Sequence, residues 1–134
     1  GVELQEMITK TDKKKVNELI MGMSRDPQWG PMLMVGSGGI YANYVKDVAF
    51  DLAYHFDHED AKALLQQTKI YRILEGVRGE PQSDITGVIE VLTRVAQLVT
   101  DFPEIVELDI NPCLIFESIQ GYSAVDIKIT ITIK

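Results

Sequence analysis

The stretch Glu107-Leu108-Asp109-Ile110-Asn111-Pro112, followed after a short turn by Ala124-Val125-Asp126, decides how this chain is read. Residues 105 to 116 are apolar and rich in β-branched side chains, a pattern that predicts a strand. Asp109 and Asn111 are two apart, so their side chains leave the same face of the pleat. Glu117 to Gly121 reads as a turn and residues 122 to 132 as a returning strand. If the two strands pair around that turn, Asn111 falls opposite roughly residue 127, with Asp126 alongside. Two carboxylates and an amide oxygen then converge on one cation. Hard oxygen ligands suit Mg²⁺, which takes one or two protein ligands and completes its octahedron with water and phosphate oxygens. The spacing alone fits equally well a solvated strand face that ends at a proline turn.

Outward from this pair, the remaining elements predict an α+β domain. Ile127, Ile129, Ile131 and Ile133 alternate with Lys128, Thr130, Thr132 and Lys134, a two-residue period that marks a half-buried strand. Residues 84 to 101 carry Ile85, Val88, Ile89, Leu92, Val95, Ala96 and Val99 at helical spacing, with Ser83 as the expected N-cap. Asp57, His58, Glu59 and Asp60 give an acidic first turn to a helix over 59 to 68, and a second helical stretch from Lys69 to Glu75 stops at Gly76. Toward the N-terminus, residues 2 to 9 and 16 to 25 have strand patterns joined by a polar segment, and together they read as a hairpin. Pro31 to Val35 is a short strand ended by Gly36, Gly38 and Gly39, and residues 40 to 53 are extended, which completes a meander. There is no internal repeat, low-complexity tract or long linker, so residues 1 to 134 read as a single domain.

Composition narrows the function classes. A chain of 134 residues with 46% hydrophobic content can bury one core, but hardly two. Twenty acidic against thirteen basic residues give a net charge of −7, which argues against nucleic acid as a partner. Lys13-Lys14-Lys15 reads as a solvated loop. Cys113 is the sole cysteine, so no internal disulfide forms, and a reducing cytoplasm is the expected setting. Set in an apolar strand with no neighbouring histidine, Cys113 reads as a buried thiol rather than a nucleophile. No apolar run approaches the roughly 18 residues of a membrane span and no signal peptide is visible, so a soluble protein without membrane contact is expected. The chain opens at Gly1 without methionine and is read as a piece of something longer.

Five segments occur in a fixed order: Gly22-Met-Ser-Arg-Asp26-Pro27-Gln-Trp29-Gly30-Pro31, Val35-Gly36-Ser-Gly38-Gly39-Ile-Tyr41, Val45-Lys-Asp47-Val-Ala-Phe50, Gly76-Val-Arg78-Gly79-Glu-Pro81, and Asp101 through Pro112. The series resembles the ATP-grasp portion of the NDP-forming acyl-CoA synthetases. That group contains ADP-forming acetyl-CoA synthetase, including its beta subunit, and more distantly succinyl-CoA synthetase. The resemblance runs from about Val2 to Ile131. It implies the second, C-terminal subdomain of an ATP-grasp module, a largely antiparallel sheet packed with helices, without the first subdomain or the CoA-binding portion. The implied reaction is that of an acid–thiol ligase, interconverting acyl-CoA, ADP and phosphate with free acid, CoA and ATP through an acyl phosphate and a phosphohistidine. Mg²⁺ and ATP or ADP are the implied cofactors. The implied partner is a CoA-binding, phosphohistidine-bearing domain or subunit in a hetero- or homo-oligomer.

Residue by residue, the resemblance matches Asn111 and Asp126 to the family's Mg²⁺ ligands and puts Asp109 where a related Glu-Ile-Asn-Pro motif has glutamate. Glu6, in Gln5-Glu6-Met7, corresponds to the hinge strand and is a candidate for nucleoside contacts. Gly38 and Gly39 would let the backbone approach a transferring phosphoryl group and aim N–H donors at it, the alternative being a glycine-rich turn. Asp26 would orient an incoming histidine by accepting its ring N–H, but Asp before Pro is equally a turn former. Arg78 would offer a cation to phosphate, or pair with Glu80. Asn43 departs from the pattern, standing where the family has a glutamate. His55 and His58 match no family histidine and read as surface or capping residues. The resemblance also accommodates an ATP-grasp-like regulatory module of an acyl-CoA-binding protein acetyltransferase, or an interaction domain that has lost the chemistry.

Overall fold

The structure, a computed structural model, describes residues 2–4, 16–38, 47–76, 79, 81–117 and 125–134. Its strands are β1 (Val2–Leu4), β2 (Asn17–Asp26), β3 (Gly30–Ser37), β4 (Val48–Leu52), β5 (Ile105–Ile115) and β6 (Val125–Ile133). Between β4 and β5 lie α1 (His58–Gln66), α2 (Ile70–Glu75) and α3 (Ile85–Asp101). The strands form one sheet in the order β1-β6-β5-β2-β3-β4, with every neighbouring pair antiparallel. This is the expected α+β architecture, and β2, β3 and β4 make the expected meander.

Residues 5–15 of the expected hairpin between 2–9 and 16–25 lie outside the described residues, and the described ends of the two segments do not pair with each other. Val2 to Leu4 pair with Ile127 to Ile129 of β6, while β2 lies between β5 and β3. The physical reason is the apolar pattern of β2, whose Leu19, Met21 and Met23 are buried. A strand of that kind gains most by occupying a central position with both edges paired. The polar segment before it, including Lys13 to Lys15, falls outside the described residues. β3 also outruns its expected end at Val35, because Gly36 pairs with both Ile20 and Val48. A Cβ at Gly36 would lie 2.4 Å from the Asp47 carbonyl oxygen, so a glycine is what allows that close approach.

One face of the sheet is the core. Leu19, Met21, Leu33, Val35, Ile110 and Ile115 are buried there against Leu64 and Leu65 of α1, Leu74 of α2, and Val88, Leu92 and Val99 of α3. Each such side chain contributes about 1.5–3 kcal/mol by leaving water. Ile127, Ile129 and Ile131 of β6 pack partly buried on the same core, whereas Ile133 at the strand's end stays exposed. Among the described residues no helix is long and apolar enough to cross a membrane.

The helices are held in place by polar groups at their ends. Asp57 and Asp60 form a reciprocal capping box at α1, with Asp60 N–H donating to Asp57 Oδ1 at 2.9 Å and Asp57 N–H to Asp60 Oδ2 at 3.0 Å. At α3 the cap is Asp84, whose Oδ1 accepts from the Gly87 N–H at 3.0 Å, and not the expected Ser83. Ser83 is used elsewhere: its hydroxyl accepts from Asn17 Nδ2 at 3.0 Å, and its backbone bridges to Glu117. Arg25 of β2 reaches the other end of α3, donating to the Val99, Ile105 and Phe102 carbonyls, the last at 3.2 Å. A cation there complements the helix dipole and satisfies carbonyls that lack helical partners.

α2 has no cap from its own N-cap residue, Lys69. Buried Asp47 supplies one from a distance, accepting from Lys69 N–H at 2.6 Å, Ile70 N–H at 2.9 Å and the Ser37 hydroxyl at 2.6 Å. Burial opposes ionisation of Asp47, but the Ser37 hydroxyl, the two amides and the Lys69 charge outweigh it and hold the carboxyl below its ordinary 3.8. Because the folded value is depressed, the stabilisation is present above about pH 4 and is lost as pH falls through the lowered value. Asp47→Ala is expected to cost on the order of 2–4 kcal/mol at pH 7 in urea denaturation, with the gap to wild type shrinking below pH 4. Equal urea midpoints at pH 7 would remove this carboxylate from its place as the cap of α2.

Candidate functional site

The face of the sheet opposite the helices is uncovered in the described structure, and the polar residues of β5 point there. Along β5, Glu107, Asp109 and Asn111 are exposed and alternate with buried Leu108 and Ile110. The alternation is interrupted at Asn111-Pro112. From Ile110 to Cys113 the strand uses three steps, while β2 goes from Met21 to Leu19 and β6 from Ile129 to Ile127, two steps each. One extra residue is therefore bulged out of β5 against both neighbours. Pro112 has no N–H to donate, so a bulge is where a central strand accommodates it. The Asn111–Pro112 peptide is cis.

The bulge changes the expected register. Residue 127 lies opposite Cys113 rather than Asn111, and Asp126 lies opposite Leu114. Asn111 sits beside Lys128, which places it diagonally from Asp126, roughly 7–8 Å between backbones. Asp109 pairs with Thr130, four residues from Asp126 along β6, or roughly 13 Å. The three side chains thus form a line on the open face, with Asn111 in the middle, instead of converging on one point. A count of residues around a turn assumes one residue per rung, and the bulge breaks that assumption. Among the described residues no cluster of three His, Cys, Asp or Glu side chains has metal-site spacing. What the register does bring together is one carboxylate and one amide.

Asp126 carries the sharpest signal. Its Oδ1 is buried and has no hydrogen-bond partner among the described residues. Leaving such an oxygen unpaired costs about 1–3 kcal/mol, more when it is charged, so an acceptor held in this way fits a cation that completes it. The donor set, a carboxylate and an amide oxygen, suits a hard divalent ion such as Mg²⁺.

The other expected site residues divide into two groups. Asp26 Oδ1 accepts from the backbone N–H groups of Gln28 at 2.8 Å and Trp29 at 2.9 Å, so it builds the β2–β3 turn, which closes on Gly30 at φ 98°. Gly38 does not aim its N–H at a ligand: it donates to the Glu18 carbonyl at 2.9 Å, extending the sheet. The expectation of a phosphate donor at Gly38 is corrected accordingly. Glu6, Gly39, Asn43 and Arg78 lie outside the described residues. His58 joins α1 to α3 through Glu90 at 3.0 Å, and that hydrogen bond holds the Glu90 carboxyl below its ordinary value. His55, at φ 56°, is exposed in the turn before α1, so both histidines are surface residues, as expected.

A groove that the sequence reading passed over also lies on this face. It has a volume of about 310 Å³, with Ile20, Met32, Met34 and Phe50 on its walls and Glu107 and Asp109 at its rim. The signal was available in β3, where Met32 and Met34 alternate with buried Leu33 and Val35, so that both faces of the strand are apolar.

Residues 1–131 match the ATP-grasp domain family. The chain belongs to that family. This ATP-grasp domain is 44% identical over 131 residues to the ADP-forming acetate–CoA ligase I of Archaeoglobus fulgidus, covering 98% of the chain and 18% of that protein. It is 43% identical over 100 residues to the beta subunit of ADP-forming acetate–CoA ligase I of Pyrococcus furiosus, covering 75% of the chain and 43% of the subunit. Among solved structures, it matches the dinucleotide-forming acetyl-coenzyme A synthetase 1 of Ca. Korarchaeum cryptofilum, in complex with coenzyme A and Mg-AMPPCP. That match has a TM-score of 0.72 and 34% identity, and covers 87% of the chain and 53% of the other. The ATP-grasp domain therefore spans about a fifth of the single-chain relative and under half of the beta subunit.

Cys113 lies on the buried side of β5, and burial together with the charge of Asp126 pushes its thiol up to about 12. A thiol in that state is neutral at physiological pH and shielded from reagents. Native protein at pH 8 is expected to react with a thiol-specific disulfide reagent at least about 100-fold more slowly than protein unfolded in guanidinium, since reaction requires opening of the core. Comparable rates in the two states would show that Cys113 is accessible.

Proposed function

We propose that this ATP-grasp domain supplies one side of the nucleotide site of an NDP-forming acyl-CoA synthetase. The enzyme would interconvert acyl-CoA, ADP and phosphate with acid, CoA and ATP through a phosphohistidine carried by a CoA-binding domain or subunit. The relatives' names support the reaction class, and the match to a synthetase solved with coenzyme A and Mg-AMPPCP supports a Mg-nucleotide as ligand. The observation that carries the reading is the unpaired, buried Asp126 Oδ1 diagonal to Asn111 on the uncovered face.

In this reading residues 1–134 are the second subdomain, and the first would close over the open face and exclude water. Asn111 and Asp126 would hold Mg²⁺, with Asp109 further along the same strand face. The ion would supply charge neutralisation for the nucleotide phosphates during transfer. Glu6 would contact the nucleoside, and Gly39 and Arg78 the phosphates. Asp26, its Oδ1 already fixed by two turn amides, would present its other oxygen to the ring N–H of the incoming histidine. A cytoplasmic location and an oligomeric complete enzyme belong to the same proposal.

In the complete enzyme, Asn111→Ala or Asp126→Ala is expected to lower ATP formation from acyl-CoA, ADP and phosphate by at least on the order of 100-fold. Wild-type rates in both variants at limiting Mg²⁺ would remove these residues from the site. The isolated domain is expected to fold yet turn over ATP negligibly, because the nucleotide would be enclosed on one side alone. Robust Mg²⁺-dependent hydrolysis by the isolated domain would contradict that division of the site.

A further inference from the structure

We propose that Tyr54 is a positioning residue for Asp26: its ring braces the β2–β3 turn so that the second oxygen of the Asp26 carboxylate meets the incoming histidine. This inference rests on the function proposed above, in which Asp26 accepts the ring N–H, and deepens it by naming what fixes that carboxylate.

The strand register puts the two residues on one rung. Asp26 is opposite Gly30 across β2 and β3, and Met32 is opposite Leu52 across β3 and β4. The Ala53 N–H donates to the Pro31 carbonyl at 2.9 Å, which carries the β3–β4 pairing past the end of β4 and sets Tyr54 across from Gly30. Residues on one rung share a face of the sheet. Asp26 and Tyr54 therefore flank Gly30, and a glycine has no side chain to stand between them. The Tyr54 ring takes that space: a Cβ at Gly30 would lie 2.7 Å from its Oη and 2.9 Å from its Cε2. The far edge of the ring is what reaches Gly30, so the side chain extends across β3 toward Asp26. An aromatic ring laid over a cross-strand glycine supplies the packing that the glycine lacks.

The turn gains from such a support. Pro27, Gln28 and Trp29 are exposed and Asp26 and Gly30 half-buried, so no side chain of the turn is seated in the core. The bonds from the Gln28 and Trp29 N–H groups to Asp26 Oδ1 shape the turn, but both lie within it. Tyr54 braces it from outside. The chain on either side of Tyr54 is held: Ala53 is buried, and His55 at φ 56° turns the chain into the Asp57 cap of α1. Tyr54 is itself half exposed, so its ring lies on Gly30 rather than in the core. A carboxylate that must accept an N–H from a reacting group is sensitive to its support, since a misplacement of about 1 Å can cost on the order of 100-fold in rate.

The test uses the complete enzyme and two readouts: the rate of histidine phosphorylation by Mg-ATP, and the affinity for a non-hydrolysable Mg-ATP analogue. Tyr54→Ala removes the brace and is expected to slow phosphorylation about tenfold or more, with analogue affinity within about twofold, which also shows that the domain is folded. Tyr54→Phe keeps the ring on Gly30 and is expected to retain the rate within about threefold. Asp26→Asn keeps an oxygen for the two turn amides but sets an amide N–H where the histidine N–H must be accepted, and is expected to slow phosphorylation by itself. A brace acts through what it braces, so adding Tyr54→Ala to Asp26→Asn is expected to cost less than about twofold more. A wild-type rate in Tyr54→Ala, a loss undiminished in the Asp26→Asn background, or analogue affinity weakened about tenfold would each overturn the inference while leaving the role of Asp26 standing. Tyr54→Phe as slow as Tyr54→Ala would do the same, by assigning the effect to the hydroxyl. A wild-type rate in Asp26→Asn would instead refute the place of Asp26 in the proposed function, and the inference with it.

Discussion

The structure depends on one constraint: a six-stranded antiparallel sheet buries one face under three helices and, among the described residues, leaves the other uncovered. Side chains on a strand alternate faces, so every second residue of β2, β3 and β5 is committed to the core by the hydrophobic effect. Leu108 and Ile110 go inward, and Glu107, Asp109 and Asn111 are turned outward as a consequence. The same commitment on β3 buries Leu33 and Val35 and leaves Met32 and Met34 facing the groove. The candidate metal residues and the groove thus share a face, because the packing of the opposite face put them there.

Two local features adjust this frame. The bulge at Asn111-Pro112 adds one residue to β5 against both neighbours, which restores the inward direction at Cys113 and Ile115 and moves Asn111 from opposite Ile127 to diagonal from Asp126. Without it, the residues beyond Pro112 would exchange faces, since a one-residue slip inverts every following side chain. Asp47 adjusts the other edge. It connects Ser37 at the end of β3 to the first amides of α2, so one buried carboxylate sets where the helical layer starts relative to the sheet.

Polar groups on the helix side are consumed by structure. Asp57, Asp60, Asp84 and Asp47 all accept backbone N–H groups at helix starts, Arg25 donates at a helix end, and His58 is tied to Glu90. Asp26 likewise spends one oxygen on its turn, and Gly38 spends its N–H on β2. Against that background, an Asp126 oxygen that is buried and unsatisfied among the described residues is an exception, and exceptions of that kind concentrate where a ligand completes the structure.

Much of this was legible in the sequence. The two-residue period of β6, the helical spacing from Ile85 to Val99 and the acidic start of α1 each record which side of an element is buried, and that is a local property. The buried, inert Cys113 followed from neighbouring residues in the same way, and the surface positions of His55 and His58 from their matching no histidine of the family. Five ordered segments were enough to indicate the family. Local pattern could not decide between Ser83 and Asp84 as the cap of α3, because both are good caps and the choice is made by Asn17, 66 residues away in the chain. Nor could it show that β1 pairs with β6, or that Gly38 gives its N–H to Glu18, since partners across a sheet are chosen by the packing of the whole core. The sequence by itself determined which side chains carry chemistry and which face of each strand they leave. Only the tertiary structure decided which of them meet, because that depends on a bulge and on strand pairings whose free energy comes from contacts far apart in the chain.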